Sequence, residues 1–289
     1  MDGVTGVLPG GYWDEGGTLH RDFELAPLTG RDEELLAQSG LAESASLVTA
    51  VLSRAVRRVG DVSPISEHVA RQLLVADRQY LLMKLRRSTF GGIVRGSVFC
   101  PWRDCGERVS LQFQIDDLPV QEAGERAPYF TMTLSSGSDV DFRLPNGADQ
   151  ETVSPLVPRN EAEALSLLLA RAIRRIGAKS SPAPDDVAAL SPIERSEIET
   201  EMERLSPRIE LDFDTSCSEC GRSFVVPFNL QQFFFGELRT ASDLLYREIH
   251  YLAYHYHWSE REIMEMPRDK RQKYIEVLAD EIERLNSGA

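Results

Sequence analysis

The chain has 289 residues, of which 42% are hydrophobic and 27% charged, with a formal net charge of −14 at pH 7. That length accommodates about two ordinary domains and supplies enough apolar side chains for their cores. The acid excess argues against a duplex-binding protein, which needs a local surplus of Lys and Arg against phosphate.

Met1-Asp2-Gly3-Val4 shows neither the cationic start nor the apolar stretch of a secretory signal. No apolar run reaches the ~20 residues of a membrane span, so a cytoplasmic protein is expected. Residues 1–20 are Gly-rich, with Tyr12 and Trp13 among acidic neighbours, and read as an irregular N-terminal arm. A first unit then covers residues 21–118. Phe23, Leu25 and Leu28 suggest a short strand, and Thr29-Gly30-Arg31-Asp32-Glu33-Glu34 is a turn into a short helix with Thr29 as N-cap. From about Glu43, Leu47, Val48, Val51, Leu52, Ala55, Val56 and Val59 recur at helical spacing, and Gly60 closes that helix. A further helical region follows Pro64 and runs to about Arg87. Val94 and Val98 precede Cys100-Pro101-Trp102-Arg103-Asp104-Cys105, and Val109, Leu111, Phe113 and Ile115 alternate after it, as strands do.

Residues 119–137 form a linker with a strand at Tyr129–Leu134. Residues 138–230 then retrace the first unit. Cys217 lies 117 positions after Cys100, and the same offset superimposes Val51–Gly60 on Leu168–Gly177 with six of ten residues identical. Gly30, Asp32 and Glu34 map onto Gly147, Asp149 and Glu151, and Asp77-Arg78 onto Glu194-Arg195. This is the signature of an internal repeat. A helix is predicted from about Asn160 to Ile176, a loop over 178–191, and a charged helix from Ser191 to about Leu205. Ile209, Leu211 and Phe213 lead into Cys217-Ser218-Glu219-Cys220, and Phe224, Val226 and Phe228 lead out of it. Residues 231–289 form a helical C-terminal tail without a mate at this offset. Within it, Ser259 and Glu262 make a capping box, and the aromatic faces, with Phe233-Phe234-Phe235, are expected to meet neighbouring subunits.

Four cysteines in two close pairs indicate a reducing compartment and a metal rather than disulfides. Tetrahedral zinc takes four thiolates from two tight turns. Cys217-x-x-Cys220-Gly221 is the usual knuckle, and Cys100-x4-Cys105-Gly106 a looser one. The two are separated by 111 residues, far more than in an ordinary zinc ribbon. The duplication accounts for that distance if each repeat donates half of one shared site. The predicted fold class is therefore α+β: two fused homologous repeats, each with helices and a β zinc-knuckle, joined by a four-cysteine zinc-ribbon-like site. Metal ligands are Cys100, Cys105, Cys217 and Cys220, and four thiolates leave no open position, so the zinc is structural.

Other constellations are weaker. His250, His255 and His257 are five and two residues apart, which does not place three imidazoles on one helical face, and no zincin pair is present. Arg54, Arg57, Arg58 and their repeat mates suit helix C-terminal ends. Asp32 and Asp149 are expected as turn or cap residues rather than paired catalytic carboxylates. Phosphate loop, nucleophile elbow and dinucleotide fingerprint are all missing, so no catalytic residue is assigned and no enzyme is expected.

The order of these motifs resembles a known family. Leu28-Thr29-Gly30-Arg31-Asp32-Glu33, its second form Phe142-Arg143-Leu144-Pro145-Asn146-Gly147-Ala148-Asp149, the cysteine hook Cys100-Pro101…Cys105-Gly106, and Tyr251-Leu252-Ala253-Tyr254-His255-Tyr256-His257-Trp258 are similar to segments of baseplate-hub and hub-assembly proteins. These belong to contractile-tailed phages and phage-tail-like contractile injection systems. The resemblance implies a structural part of a multi-subunit baseplate, contacting other baseplate or tail proteins. The alternatives are a transient assembly chaperone and a nucleic-acid-binding zinc-ribbon protein.

Overall fold

The computed structural model describes residues 3–38 and 44–287. In the first unit, β1 (Val4–Trp13) and β2 (Leu19–Leu25) form an antiparallel hairpin. Helices α1 (Gly30–Gln38) and α2 (Ala45–Ala55) follow, and β3 (Val56–Val59) returns to pair with β2. Then come α3 (Glu67–Gln72), α4 (Val75–Phe90), a ribbon of β4 (Ile93–Phe99) and β5 (Arg108–Gln114), and the short β6 (Val120–Gln121).

The second unit follows a similar order, with one strand added and the short strand that pairs with β6 before rather than after the ribbon. Hairpin β7 (Phe130–Thr133) and β8 (Asp139–Phe142) precedes α5 (Gly147–Val153), α6 (Glu161–Ala172) and β9 (Ile173–Ile176). After β10 (Lys179–Ser180) come α7 (Pro184–Ala188), α8 (Pro192–Leu205), and β11 (Arg208–Ile209), which pairs with β6. A ribbon of β12 (Asp212–Ser216) and β13 (Ser223–Pro227) ends the unit. The strand registers also correspond. Phe23 faces Val59 and Leu25 faces Val56, with a bulge after Glu24. At positions 117 higher, Val140 faces Ile176 and Phe142 faces Ile173, with a bulge after Asp141.

The chain closes with α9 (Leu230–Tyr256), α10 (Glu260–Met264) and α11 (Arg268–Ser287). Ser259 and Glu262 form the expected capping box of α10, and His257, in left-handed conformation, stops α9.

Several expectations are corrected. The N-terminal arm, residues 1–20, is not irregular in its described part: it holds β1 and the start of β2. Its glycines serve close approach. A Cβ on Gly6 would lie 2.8 Å from the Phe23 ring, and one on Gly10 would lie 2.6 Å from Leu74. The amides of Gly10 and Gly11 both donate to the buried Asp77 carboxylate at 2.8 Å. Gly11 adopts φ 108 where the β1–β2 register shifts. Both long helices end earlier than predicted, at Ala55 and Ala172. Val56/Val59 and Ile173/Ile176 are strand residues, because three-residue spacing of β-branched side chains also suits a strand crossing a bulge. The start predicted near Glu43 lies outside the described residues. Residues 178–191 hold β10 and α7 rather than only loop.

The tail boundary also moves. Leu230, Phe234, Phe235 and Leu238 are buried in the first unit's main core with Leu8, Phe23, Leu52, Leu81 and Leu85. Phe234 and Phe235 are thus core residues and not subunit contacts; cutting at 231 would open the core. The second unit buries its own cluster around Phe142, Leu169, Ile198 and Leu205, and the end of α9 packs with α10 around Leu245, Leu252 and Ile263.

Candidate metal centre

The two ribbons bring their tips together. In the first, the Cys100 amide donates to the Glu107 carbonyl at 2.8 Å, and the Cys105 and Gly106 amides donate to the Trp102 carbonyl. In the second, the Cys217 amide donates to Arg222 O at 3.0 Å and the Gly221 amide to Cys217 O. Gly106 and Gly221 take φ of 65 and 70. Nothing lies within 4 Å of a Cβ at either position, so conformation and not crowding selects glycine there. A bidentate Asp104–Arg222 pair at 2.6 and 2.7 Å ties the tips, with the guanidinium over the Trp102 ring. At the ribbon bases Phe113, Phe213 and Phe228 stack with centroids 4.4–5.9 Å apart.

All four predicted ligands are brought together. The sulfurs of Cys100, Cys105, Cys217 and Cys220 lie within 4.8 Å of one another. Cys100–Cys220 is 3.8 Å and Cys105–Cys217 is 3.7 Å. A regular tetrahedron of thiolates at ~2.3 Å from a metal has sulfur–sulfur edges of ~3.8 Å. Four thiols with two edges at that value and all sulfurs within 4.8 Å are compatible with a metal site. Among the described residues this is the sole grouping of three or more His, Cys, Asp or Glu that can hold an ion.

The protonation pattern points the same way. The amides of Cys220 and, less, Glu219 hold the Cys217 thiol down to about 7 against its burial. The Glu107 amide also pulls on Cys105, but burial and the neighbouring sulfurs outweigh it and push that thiol up to about 12. Four adjacent thiols cannot all ionise by themselves, since each negative charge raises the next. A bound dication removes that obstacle by replacing the protons.

The remaining candidates resolve as structural groups. Asp149 is fully buried, caps α5 through a reciprocal box with Asn146, and is clasped by Arg143 at 2.5 and 2.9 Å and Arg171 at 2.8 Å. Asp32 bonds Thr29 in the same way, with Arg54 at 3.8 Å. The arginine clusters face acids: Arg57 and Arg58 pair with Glu24, and Arg175 with Asp141. The three histidines do not converge. His250 and His255 stack along α9 on Tyr254 and Tyr251, while His257 caps that helix. No helix among the described residues is long and apolar enough to cross a membrane.

Three buried arginines were not foreseen: Arg78, Arg271, and Arg86, which pairs with Glu237 of α9 at 2.7 Å. Arg78, 1% exposed, reaches from α4 to Ala70 O, Ala45 O and Thr49 at 2.7–2.9 Å, directly beneath Gly147 of the second unit. Arg271, fully buried on α11, bridges Glu33 of α1 at 2.8 Å and Glu248 of α9 at 2.9 Å. The only sequence signal was the repetition of Asp77-Arg78 as Glu194-Arg195.

A family model described as T4 bacteriophage base plate protein matches residues 16–235. A second model, of a family of unknown function, matches residues 239–289. No curated protein and no solved structure matches the chain.

Proposed function

The chain belongs to the T4 bacteriophage base plate protein family, and from that premise we propose that it is a non-enzymatic structural subunit of the baseplate of a phage tail or contractile injection system. The family match over residues 16–235 carries this reading. In it, one zinc ion sits on Cys100, Cys105, Cys217 and Cys220 and clamps two duplicated units to each other. The similar element order and matching registers support the duplication, and the sulfur spacing supports the ion. A full thiolate shell gives rigidity, not turnover. Its partners are other baseplate or tail proteins, met during assembly inside the producing cell. Acid-paired arginines and a net charge of −14 speak against nucleic acid as a partner.

The test is to purify assembled particles and quantify this chain by mass spectrometry. A fixed copy number per baseplate is expected. Its presence only in the free fraction would overturn the structural role in favour of a transient assembly chaperone.

A further inference from the structure

One local arrangement occurs three times, and only two of its occurrences are covered. Each is a short helix, a two- or three-residue turn, a longer helix, and an arginine at that helix's first turn: α3–α4 with Arg78, α7–α8 with Arg195, α10–α11 with Arg271. Each short helix buries an apolar side chain eight residues before the arginine, respectively Ala70, Val187 and Ile263, and α10 buries Met264 as well. Each arginine turns back onto a nearby carbonyl, Ala70, Ala188 and Met266 at 2.6–2.7 Å.

In two cases a glycine turn sits on top. The Gly147 amide donates to Leu73 O at 3.0 Å, Asn146 forms a β-bridge with Leu74, and a Cβ on Gly147 would fall 2.3 Å from Arg78 Nη1. Likewise the Gly30 amide donates to Met266 O at 3.3 Å, Thr29 bridges Pro267, and a Cβ on Gly30 would fall 3.2 Å from Arg271 Nη1. The seated turns share one form, Thr29-Gly30-x-Asp32 and Asn146-Gly147-x-Asp149, each entering a helix.

The third clasp carries no Thr/Asn-Gly turn; the β7–β8 turn of the same chain reaches only its flank, where the Ser135 amide donates to Glu197 at 3.0 Å and Ser136 bonds Glu194. The Leu190 carbonyl, which corresponds to Leu73 and Met266, receives no hydrogen bond among the described residues. Ser191, Pro192 and Ile193 are exposed, Ile193 to 67%, whereas its counterpart Ala76 is buried. Arg195 is nonetheless set in the Arg78 manner: it bonds Ser166, the counterpart of Thr49, at 3.2 Å. Like Arg78, it keeps a buried Nε without a partner.

We propose that the open start of α8 docks a Thr/Asn-Gly-x-Asp turn presented by a different, neighbouring chain. The occupant follows from the two covered clasps, and it comes from elsewhere because Gly30 and Gly147 are both engaged internally. Only the neighbour's identity as another baseplate protein rests on the functional reading above. The glycine is obligatory, since a side chain there would strike the Arg195 guanidinium. Ile193 supplies the apolar contact at the rim.

A fluorescent peptide spanning residues 139–154 serves as the probe turn, titrated by anisotropy with the full-length chain. Saturable binding is expected, weakened at least tenfold by Ile193→Asp in the chain and equally by Gly147→Val in the peptide. No binding, or binding indifferent to both changes, overturns the proposal. Sedimentation of the full chain covers the remaining occupant: a concentration-dependent dimer abolished by Ile193→Asp would overturn it in favour of turn exchange between copies. Peptide binding by a chain missing from particles would sink the baseplate role and keep the clasp; the converse would sink the clasp alone.

Discussion

Replacing Arg271 by Met should detach the C-terminal helices in a pH-dependent manner. Arg271 is fully buried, as is Glu33, and Glu248 is 7% exposed. Its three charge-assisted contacts run to Glu33, Glu248 and the Met266 carbonyl at 2.7–2.9 Å. Methionine fills the stem but leaves two buried carboxylates facing each other, with Arg268 3.5 Å from Glu33 as the nearest remaining cation. Removing one partner from such a cluster costs ~3–5 kcal/mol. For a chain of this size that corresponds to roughly 10 °C of melting temperature if it unfolds as one unit.

The pH dependence separates this mechanism from simple loss of packing. Burial pushes the Glu33 carboxyl above its ordinary value even with Arg271 and Arg268 pulling it down. A carboxyl whose folded pKa is raised favours folding below its unfolded pKa, and that contribution is lost as pH rises through the folded value. Without Arg271 the value climbs further, so the deficit of Arg271→Met should be smaller at pH 5 than at pH 8. Each further tenfold gain in the proton affinity of Glu33 is worth ~1.4 kcal/mol. Calorimetry at the two pH values, with hydrogen exchange of residues 268–287, measures both effects. A deficit that is equal at both, or larger at pH 5, would refute the buried-charge account. Adding Glu33→Gln to the variant should recover part of the loss at pH 8.

Three further expectations concern the other joints. Cys217→Ser should lower the metal content from about one ion per chain to none by elemental analysis. Because the cysteines form a separate cluster from the main core, it should loosen the ribbon tips while leaving most of the far-UV dichroism. Gly147→Ala places a Cβ 2.3 Å from a guanidinium held by three bonds and should cost ~3 kcal/mol by urea denaturation; Gly177→Ala meets no atom within 4 Å and pays only the ~1 kcal/mol of left-handed backbone. Burial pushes Asp149 up, yet Arg143, the Asn146 amide and Arg171 hold it below the usual carboxylate range. Its stabilising contribution is thus present above the unfolded pKa and lost as pH falls through the lowered one. Asp149→Asn should cost ~3 kcal/mol at pH 7 and progressively less in acid.

The cysteine site was legible because its chemistry is local: a knuckle needs two cysteines and a glycine after them, and both hooks carry these residues. The caps Thr29 and Ser259, and the turn or cap roles of Asp32 and Asp149, were legible for the same reason. What escaped depends on partners remote in sequence. Gly6 and Gly10 look like linker residues until Phe23 and Asp77 are seen against them. Val56 and Val59 fit a helical stripe equally well, and only pairing with Leu25 and Phe23 makes them a strand. Phe233-Phe234-Phe235 reads as a sticky surface when the first unit's core is out of view. Arg78 and Arg271 run against the general expectation that arginine is solvated, and their burial depends on carbonyls and carboxylates up to 238 residues away. The α10–α11 clasp was hidden because Arg271 lies 193 positions after Arg78, not 117, and its surroundings share few residue identities with those of Arg78.

These joints have a direction, which constrains how the molecule can be extended. The C-terminal helices cover the Gly30 turn of the first unit, and the first unit's α3–α4 covers the Gly147 turn of the second. Each contact joins unlike surfaces, a helix start on one side and a glycine turn on the other. Such heterologous contacts propagate in one sense and do not close on themselves unless the rotation completes a ring. A symmetric dimer of α8 on α8 would set two helix starts against each other, each with a cationic Arg195 and no glycine turn to receive it, and reciprocal turn exchange would have to unseat Gly30 or Gly147 from its internal clasp. The series therefore continues most readily into a chain that offers a turn of its own, and the proposed cysteine clamp would hold the α8 platform fixed relative to the first unit. Loosening that clamp with Cys217→Ser should accordingly weaken turn binding at Ile193 even though the cysteines lie outside the clasp, and undiminished peptide affinity in that variant would show the two devices to be mechanically independent.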